Sequence, residues 1–151
     1  MSQLKQKLQS DLNNAIKSRN TIVAETVRML LAAITNEEVA GKEKKELSDA
    51  EVITVLTREA KKRREAAEAF EQGGRADKAA AERAEGEVIA TYLPEQLSEA
   101  ELNQLISETI AAVGASGPGD MGKVMGALKS KVAGKADGAT VSNLVKAALA
   151  K

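Results

Sequence analysis

The side chains of this sequence that could do chemistry are hydroxyls, carboxylates and lysines, because its 151 residues include no histidine and no cysteine. The commonest general base and metal ligand is therefore missing, together with any thiolate nucleophile or disulfide. A serine or threonine nucleophile would find no proton acceptor near neutral pH unless a lysine were buried beside it. We accordingly expect no catalytic residues and no cofactor, which favours a binding module over an enzyme.

Two carboxylate pairs, Glu37 with Glu38 and Glu85 with Glu87, are the remaining candidates for a metal site. Hard cations such as calcium need more oxygen ligands than one pair supplies, and they are usually held by a loop of characteristic spacing. No such spacing surrounds these pairs. We expect no metal site.

Lysines near the carboxyl end form the most distinctive charge pattern. The chain has 22 basic and 22 acidic residues, but residues 121–151 hold six lysines and one aspartate, a local net charge of +5. Residues 94–120, by contrast, hold five carboxylates and no cation. Any attraction to nucleic acid is therefore expected to be local rather than a property of the whole molecule.

Two glycines stand among these lysines on a predicted helix that begins after Asp120. On a helical wheel, one side carries Met121, Val124, Met125, Leu128 and Val132, and the other carries Gly122, Lys123, Gly126, Lys129 and Ser130. A helix face without side chains at two successive turns lets a rigid ligand reach the backbone, and flanking lysines suit phosphate. The first helical amides would add donors, although the Asp120 carboxylate, as the helix cap, would repel an anion there.

A structural alternative exists for the same pattern. The two glycines would let the last two helices touch, and the lysines would only be solvated.

A second basic cluster, residues 61–64 (KKRR), has acidic neighbours, since Glu59, Glu65, Glu68 and Glu71 lie at helical contact spacing from it. For that cluster we expect a salt-bridged, solvated face rather than a nucleic-acid patch.

Seven helices are needed to position these residues. Apolar residues recur at spacings of three and four throughout, and no segment alternates with the period of two that a strand requires. The predicted helices run from Ser2 to Ser18, from Asn20 to Ala40–Gly41, from the Ser48–Glu51 capping box to Gly73–Gly74, from Arg75 to Leu93, from the Ser98–Glu101 capping box to Val113, from Met121 to Val132, and through Val141 to Leu149. Gly41 is expected to close the second helix in the left-handed conformation.

The helical period also predicts which faces are buried. In the first helix, Ile16 falls on the apolar face with Leu4, Leu8, Leu12 and Ala15. Phe70 falls on the apolar stripe of the third helix. In the fourth helix we expect a small-residue seam against the third, formed by Ala76, Ala80, Ala84, Val88 and Tyr92.

Pro94 cannot continue a helix and restricts the residue before it, so we place a boundary there. The prediction is an all-α protein with an N-terminal four-helix subdomain (residues 1–93) and a small C-terminal three-helix subdomain (residues 94–151). The longest apolar run is the six residues Met29 to Ile34, too short to cross a bilayer, and the first residues lack the apolar stretch of a signal peptide. We therefore expect a cytoplasmic protein without membrane partners.

Four sequence words resemble the YqeY family: RMLLAAI (28–34), LSDAEVI (47–53), YLPEQLSEAEL (92–102) and DMGKVMGALKSKVAGKADGATVSNLVK (120–146). That family is similar to the tail of GatB, a subunit of the tRNA-dependent amidotransferase. The resemblance covers essentially the whole chain and implies two helical subdomains. In the amidotransferase the corresponding tail helps to hold the tRNA body, and the kinase and transamidase centres lie in parts that this chain lacks.

The resemblance implies RNA-facing residues as well. Lys123 and Gly126 lie in the matching DMGKVMG word, whereas Lys129 and Lys135 lie in a less constrained stretch, and Ser130 stands where many relatives are expected to have proline. Together with the helical wheel, this gives Gly122, Lys123, Gly126, Lys129 and Lys135 as the candidate RNA-binding residues.

The leading hypothesis is a noncatalytic tRNA-binding module that acts in translation. With only Phe70 and Tyr92 as aromatic residues, stacking on single-stranded bases is disfavoured, so recognition is expected to use backbone and shape. Amidotransferase or aminoacyl-tRNA synthetase subunits are the expected protein partners. Two alternatives have no RNA contact: a protein-interaction module that docks through the alanine-rich hairpin of the third and fourth helices, and an accessory that activates an amidotransferase or another carbon–nitrogen ligase in trans.

Overall fold

A computed structural model describes residues 2–150, and over these residues it contains seven α-helices, one short 3-10 turn (Pro118–Asp120) and no strand. The all-α prediction is confirmed. The helices are α1 (Gln3–Lys17), α2 (Thr21–Glu38), α3 (Asp49–Gln72), α4 (Ala76–Ala90), α5 (Glu99–Val113), α6 (Met121–Val132) and α7 (Gly138–Leu149).

The predicted helix starts rest on side-chain caps. Ser48 and Ser98 each accept a hydrogen bond from the backbone N–H three residues on, and Glu51 and Glu101 reach back to the cap backbone, so both capping boxes form. Asn20 caps α2 as expected by accepting from the Val23 N–H. These bonds satisfy amides that have no partner within their own helix.

Three of the helices, α1, α3 and α5, end in a turn with a left-handed residue. Gly74 has a φ of 76° after α3 and Gly114 a φ of 68° after α5, whereas α1 is closed in the same way by Arg19, with a φ of 59°. In all three turns, the next N–H donates to the carbonyl five residues earlier: Asn20 to Ala15 (2.9 Å), Arg75 to Phe70 (2.7 Å) and Ala115 to Ile110 (3.1 Å).

The predicted end of α2 was wrong. The helix stops at Glu38, and Gly41 is not among the residues with a positive φ. Two bonds to Glu38 explain the earlier stop. Its carboxylate accepts from Lys5 Nζ at 2.8 and 3.0 Å, and its main-chain carbonyl accepts from the Lys45 N–H at 2.9 Å, which turns the chain back.

The chain divides into two compact units, and the first, Met1–Pro94, contains α1 to α4. Its core is an aliphatic cluster with contributions from all four helices and the loop before α3: Leu8, Val27, Leu30, Ile34, Leu47, Val52, Val55, Leu56, Ala60 and Ile89. Tyr92 follows α4 and donates its hydroxyl to Asp11 Oδ2 at 2.6 Å, while Lys7 Nζ lies 4.9 Å from the ring centroid. This contact ties the end of α4 to α1.

Three predicted faces differ from the observed ones. Ile16 is 48% exposed, because successive helical residues point about 100° apart and the adjacent Ala15 takes the buried position. In α4, the predicted seam is wrong in its first half, where Ala76 and Ala80 are exposed and Ala79 is buried instead. In its second half Val88 and Tyr92 are partly buried and pack against the core, beside the buried Ile89. Phe70 is half-buried outside the core cluster, with Lys78 Nζ 5.5 Å from its ring centroid.

The second unit, Glu95–Lys151, contains α5 to α7 around a separate core. That core consists of Leu102, Ile106, Val124, Leu128, Val132, Val141, Val145 and Leu149. Asp137 starts α7 by accepting from the Thr140 N–H at 3.0 Å, and the Leu97 N–H donates to the Lys135 carbonyl at 2.9 Å, which closes the segment before α5 onto the α6–α7 turn.

Candidate nucleic-acid interface

Helix α6 is held in unit 2 by one apolar side. Val124 and Leu128 are completely buried and Val132 nearly so, at spacings of four residues. Gly122, Lys123, Gly126 and Lys129 are all exposed on the side that faces away from this stripe. We call these four residues the glycine face.

Neither glycine is needed for packing. A β-carbon built on Gly122 or on Gly126 would meet no atom within 4 Å, and neither residue has a positive φ. The alternative in which these glycines let α6 and α7 touch is therefore wrong for the part of the chain that the structure describes. Glycine in an exposed helix interior is about 1 kcal/mol less favourable than alanine. Gly126 therefore lowers the stability of α6, and no contact between residues 2 and 150 requires a glycine there.

The lysines of this region are exposed and available. Between residues 2 and 150, no carboxylate lies within ion-pair distance of Lys123, Lys129 or Lys135. Lys123 and Lys129 flank the exposed glycines, whereas Lys135 lies in the turn between α6 and α7, after Gly134 with its φ of 72°. The structure thus brings four of the five candidate residues onto one helix face and places Lys135 outside it.

Asp120 does not cap α6 as the sequence suggested. Its carboxylate turns back and accepts from the backbone N–H groups of Ser116 at 2.8 Å and Gly117 at 3.4 Å, and it makes no side-chain cap bond to α6. These two bonds lower the pKa of Asp120, with a smaller contribution from the charge of Lys123. The amides of the Gly- and Pro-rich loop thus compete with the first amides of α6 for the Asp120 carboxylate. The sequence pattern of a helix start does not show this competition.

Two exposed side chains of α6, one on the same side as the glycine face and one away from it, were not singled out from the sequence as ligand contacts. Ser130 follows Gly126 by four residues, so the exposed side of α6 has a row of three small residues, Gly122, Gly126 and Ser130. Lys131 is also exposed in the last turn of the helix. The spacing of four would have indicated Ser130, which the helical wheel already places on that side.

Three of the four residues of the second basic cluster form ion pairs. Lys62 Nζ lies 3.3 Å from Glu59 and Lys61 Nζ lies 3.9 Å from Glu65, as expected for a salt-bridged face. Arg63 instead reaches α4, where it contacts Glu82 at 3.5 Å and Glu85 at 3.6 Å. Desolvation, followed by the neighbouring charge of Glu82, raises the pKa of Glu85.

No group of three or more acidic side chains in the described ranges is arranged to hold a metal ion. Nor is any helix between residues 2 and 150 both long and apolar enough to cross a membrane.

Comparisons with known proteins give one family and two relatives. A protein-family model described as "Yqey-like protein" matches residues 5–149. The chain is 29% identical to "Altered inheritance of mitochondria protein 41, mitochondrial" of Pyrenophora tritici-repentis over 133 residues, 86% of this chain and 71% of that protein. It is 34% identical to an uncharacterized protein of Schizosaccharomyces pombe over 92 residues, 60% of this chain and 72% of the relative.

Proposed function

Because the chain belongs to the YqeY family, we propose that it is a noncatalytic tRNA-binding module that acts in translation and contacts RNA with the glycine face of α6. The observation that carries the proposal is the open space above Gly122 and Gly126, flanked by exposed lysines without ion-pair partners in residues 2–150. A rigid polyanion can approach the helix backbone there and meet cations on both sides.

Structured RNA fits this surface better than single strands do. Readers of single-stranded RNA stack bases on aromatic rings, whereas folded RNA is recognised through its phosphates, 2′-hydroxyls and shape. Unit 2 has no aromatic residue, since Phe70 and Tyr92 both lie in unit 1. The glycine face supplies backbone and ammonium groups instead, which suits recognition by shape and charge.

We further propose that the protein's partners are subunits of a tRNA-dependent amidotransferase or an aminoacyl-tRNA synthetase, in the cytoplasm. The support is the similarity of the YqeY family, to which the YLPEQLSEAEL and DMGKVMG words belong, to the amidotransferase tail, together with the fact that both enzymes handle tRNA. Copurification of these subunits with the full chain in the presence of tRNA, and its loss after ribonuclease treatment, is the expected result.

Two variants of the glycine face test the RNA contact. Lys123→Glu is expected to weaken binding to folded tRNA and to reduce the slope of log affinity against log salt by roughly 0.7 to 0.9, the value for one lost phosphate contact. Gly126→Leu keeps the charge and fills the space over the helix, so affinity is expected to fall with a nearly unchanged salt slope. Filter binding or fluorescence anisotropy over a salt series measures both quantities.

The control is Lys42→Glu, the same charge change at an exposed position in the loop between α2 and α3. It should bind tRNA with nearly wild-type affinity. Each variant must first show wild-type helicity and a thermal midpoint no lower than that of the wild type. The proposal is wrong if folded Lys123→Glu and Gly126→Leu bind tRNA as the wild type does, or if the wild type binds an unstructured RNA equally well.

A further inference from the structure

The part of the α3–α4 hairpin on either side of the Gly73–Gly74 turn has little apolar packing. No apolar residue from 61 to 87 belongs to the aliphatic core of unit 1 or packs against it. Within that range, which the structure describes in full, Ala67 and Ala79 alone are buried. We call residues 64–81 the hairpin arm. Segments with so few buried apolar contacts open at a lower free energy than the core does.

A cluster of charged side chains lies at the base of the arm. Arg63 of α3 reaches two carboxylates of α4, with its Nη1 3.5 Å from Glu82 Oε2 and 3.6 Å from Glu85 Oε2. The side chains of Arg63 and Glu82 are 20% exposed, and that of Glu85 is 30% exposed. A further pair across the hairpin, Arg83 with Glu71, is more than half exposed on both sides, and exposed pairs contribute little. The contacts of Arg63 are therefore the better shielded of the two.

The hydrogen bonds of this cluster are incomplete. Arg63 Nε and Glu82 Oε2 are both buried, and neither has a hydrogen-bond partner among the described residues. A buried polar atom without a partner loses its bonds to water and gains none in return. Closure of the arm therefore gains less from this cluster than it would from a fully hydrogen-bonded ion pair.

The charges of the cluster are also unbalanced. A single guanidinium faces both Glu82 and Glu85, and Glu25 of α2 adds a further negative charge near Glu85. On α3, Glu59 and Lys62 pair with each other at 3.3 Å. Negative charge thus remains in excess around Glu85, and a carboxylate in such surroundings holds a proton more readily.

Burial, followed by the charge of Glu82, raises the pKa of Glu85 above its ordinary value of 4.5, against the opposing effect of Arg63. A group with a raised pKa in the closed arm binds its proton more tightly there than in the open arm. The resulting stability is fully present below 4.5 and is lost as the pH rises through the pKa of the closed arm. Acidification from neutral pH therefore favours closure.

Gly86 lies in α4 beside this cluster, just before the residues of α4 that reach the core. A β-carbon on Gly86 would lie 3.8 Å from the Arg63 β-carbon, an ordinary contact, so packing does not require glycine there. Glycine inside a helix is less favourable than alanine. Val88 and Ile89 follow it and pack in unit 1. Helix α4 thus has a weak point where its core packing begins.

We propose that the hairpin arm opens and closes while the core of unit 1 stays folded, and that the Arg63–Glu82–Glu85 cluster is a proton-controlled latch on this motion. Protonation of Glu85 removes its repulsion from Glu82 and leaves Arg63 to pair with Glu82 alone, which favours the closed arm. Loss of that proton restores the excess negative charge and favours opening, with α4 bending at Gly86.

Native-state hydrogen exchange of the full ¹⁵N-labelled chain tests the latch, with protection factors corrected for the intrinsic pH dependence of amide exchange. We expect the amides of the arm to be less protected than those of Leu30 and Leu56 in the core. As the pH falls from neutral to 4.5, arm protection should rise about two- to fivefold, the range for partly exposed charge contacts. Glu85→Gln should show the raised protection already at neutral pH and should lose the pH dependence.

Glu68→Gln is the control, because it makes the same change at an exposed position within the arm. It should keep the protection and the pH dependence of the wild type. Gly86→Ala changes no charge, so it should raise arm protection, by about fivefold, and keep the pH dependence.

The proposal is overturned if the arm amides exchange only together with those of the core, or if their protection does not rise on acidification. It is also overturned if Glu85→Gln keeps the pH dependence of the wild type, or if Glu68→Gln loses it to the same extent, since the loss of any carboxylate in the hairpin would then suffice.

Discussion

Three residues of this chain occupy positions where another residue type would make the fold more stable. Gly122 and Gly126 lie in a helix with open space where a β-carbon would stand, and Arg19 lies in a left-handed turn. Natural proteins retain such residues most often at functional sites. A substitution at one of these positions can therefore change binding without lowering stability, which makes them suitable for mutation.

Gly126→Ala is expected to raise the free energy of unfolding by about 0.5 to 1 kcal/mol, because alanine is the better helix former and its β-carbon meets no neighbour. Gly122→Ala is expected to raise it by less, because Gly122 lies in the first turn of α6. Urea denaturation followed by far-UV circular dichroism measures the change. A loss of stability in either variant would show that the glycine is needed for a contact or a backbone state, contrary to the open geometry.

Lys5 and Glu38 form a largely buried ion pair, with side chains 15% and 3% exposed. Lys5→Met leaves the buried carboxylate without its cation, so we expect a loss of about 3 kcal/mol of unfolding free energy at neutral pH. The pKa of Glu38 is held below its ordinary value of 4.5, first by the hydrogen bond from Lys5. A lowered pKa contributes stability above pH 4.5, and this contribution is lost as the pH falls through the folded-state pKa.

The difference in stability between wild type and Lys5→Met should therefore shrink as the pH is lowered below 4.5. Denaturation curves at a series of pH values test this trend. A difference that stays constant from neutral to acidic pH would mean that Lys5 acts through its methylenes rather than its charge.

At the scale of helices, the sequence predicted best those helix starts and stops that depend only on neighbouring residues. Both capping boxes and the Gly73–Gly74 stop of α3 could be predicted, because their bonds join residues at most five apart. The errors concern contacts between distant parts of the chain. The end of α2 depends on Lys5, 33 residues away, and the buried side of α4 depends on how it packs against α3.

In the candidate site, too, the sequence predicted the local features and missed those that depend on distant parts of the chain. The helical wheel placed Gly122, Lys123, Gly126 and Lys129 on one exposed side, since periodicity alone decides which residues share a helix face. Whether the glycines pack against α7 was undecidable from the sequence, because it depends on the distance between helices. The turn at Arg19 was missed for a related reason: glycine is the usual signal for a left-handed helix end, and arginine is not.

Ser98→Ala removes the side-chain acceptor of the α5 capping box and is expected to lower the stability of unit 2 by about 1 kcal/mol. Ser10→Ala is a matched control, because it makes the same change at an exposed position inside α1, where we expect an effect within about 0.5 kcal/mol. Thermal denaturation of both variants provides the comparison. Equal effects would indicate that the cap contributes nothing beyond helix propensity.

For the molecule as a whole, the main property is that each unit has its own aliphatic core. The residues of the two core clusters lie entirely on their own sides of Pro94. The bonds from Gln96 and Leu97 to Gly134 and Lys135 are likewise internal to unit 2. A domain that contains its own core can in principle fold alone.

We accordingly expect a fragment of residues 95–151 to remain helical and to unfold cooperatively, although its small size makes the stability low. Far-UV circular dichroism with thermal and urea denaturation tests this. A helical signal that fades without a transition, or a fragment with no helicity, would show that unit 2 depends on unit 1 for folding. If it folds, the fragment also allows the tRNA contact to be measured without unit 1.

The hydrogen bond from Tyr92 to Asp11 affects the fluorescence of the protein. The chain has no tryptophan and one tyrosine, and that tyrosine lies in unit 1 with its hydroxyl bonded to a carboxylate. Tyrosine emission, quenched by the nearby carboxylate in the folded state, will therefore brighten when unit 1 unfolds and the bond to Asp11 breaks. Far-UV signals sense every helix, so recording both during one denaturation compares the unfolding of unit 1 with that of the whole unlabelled chain.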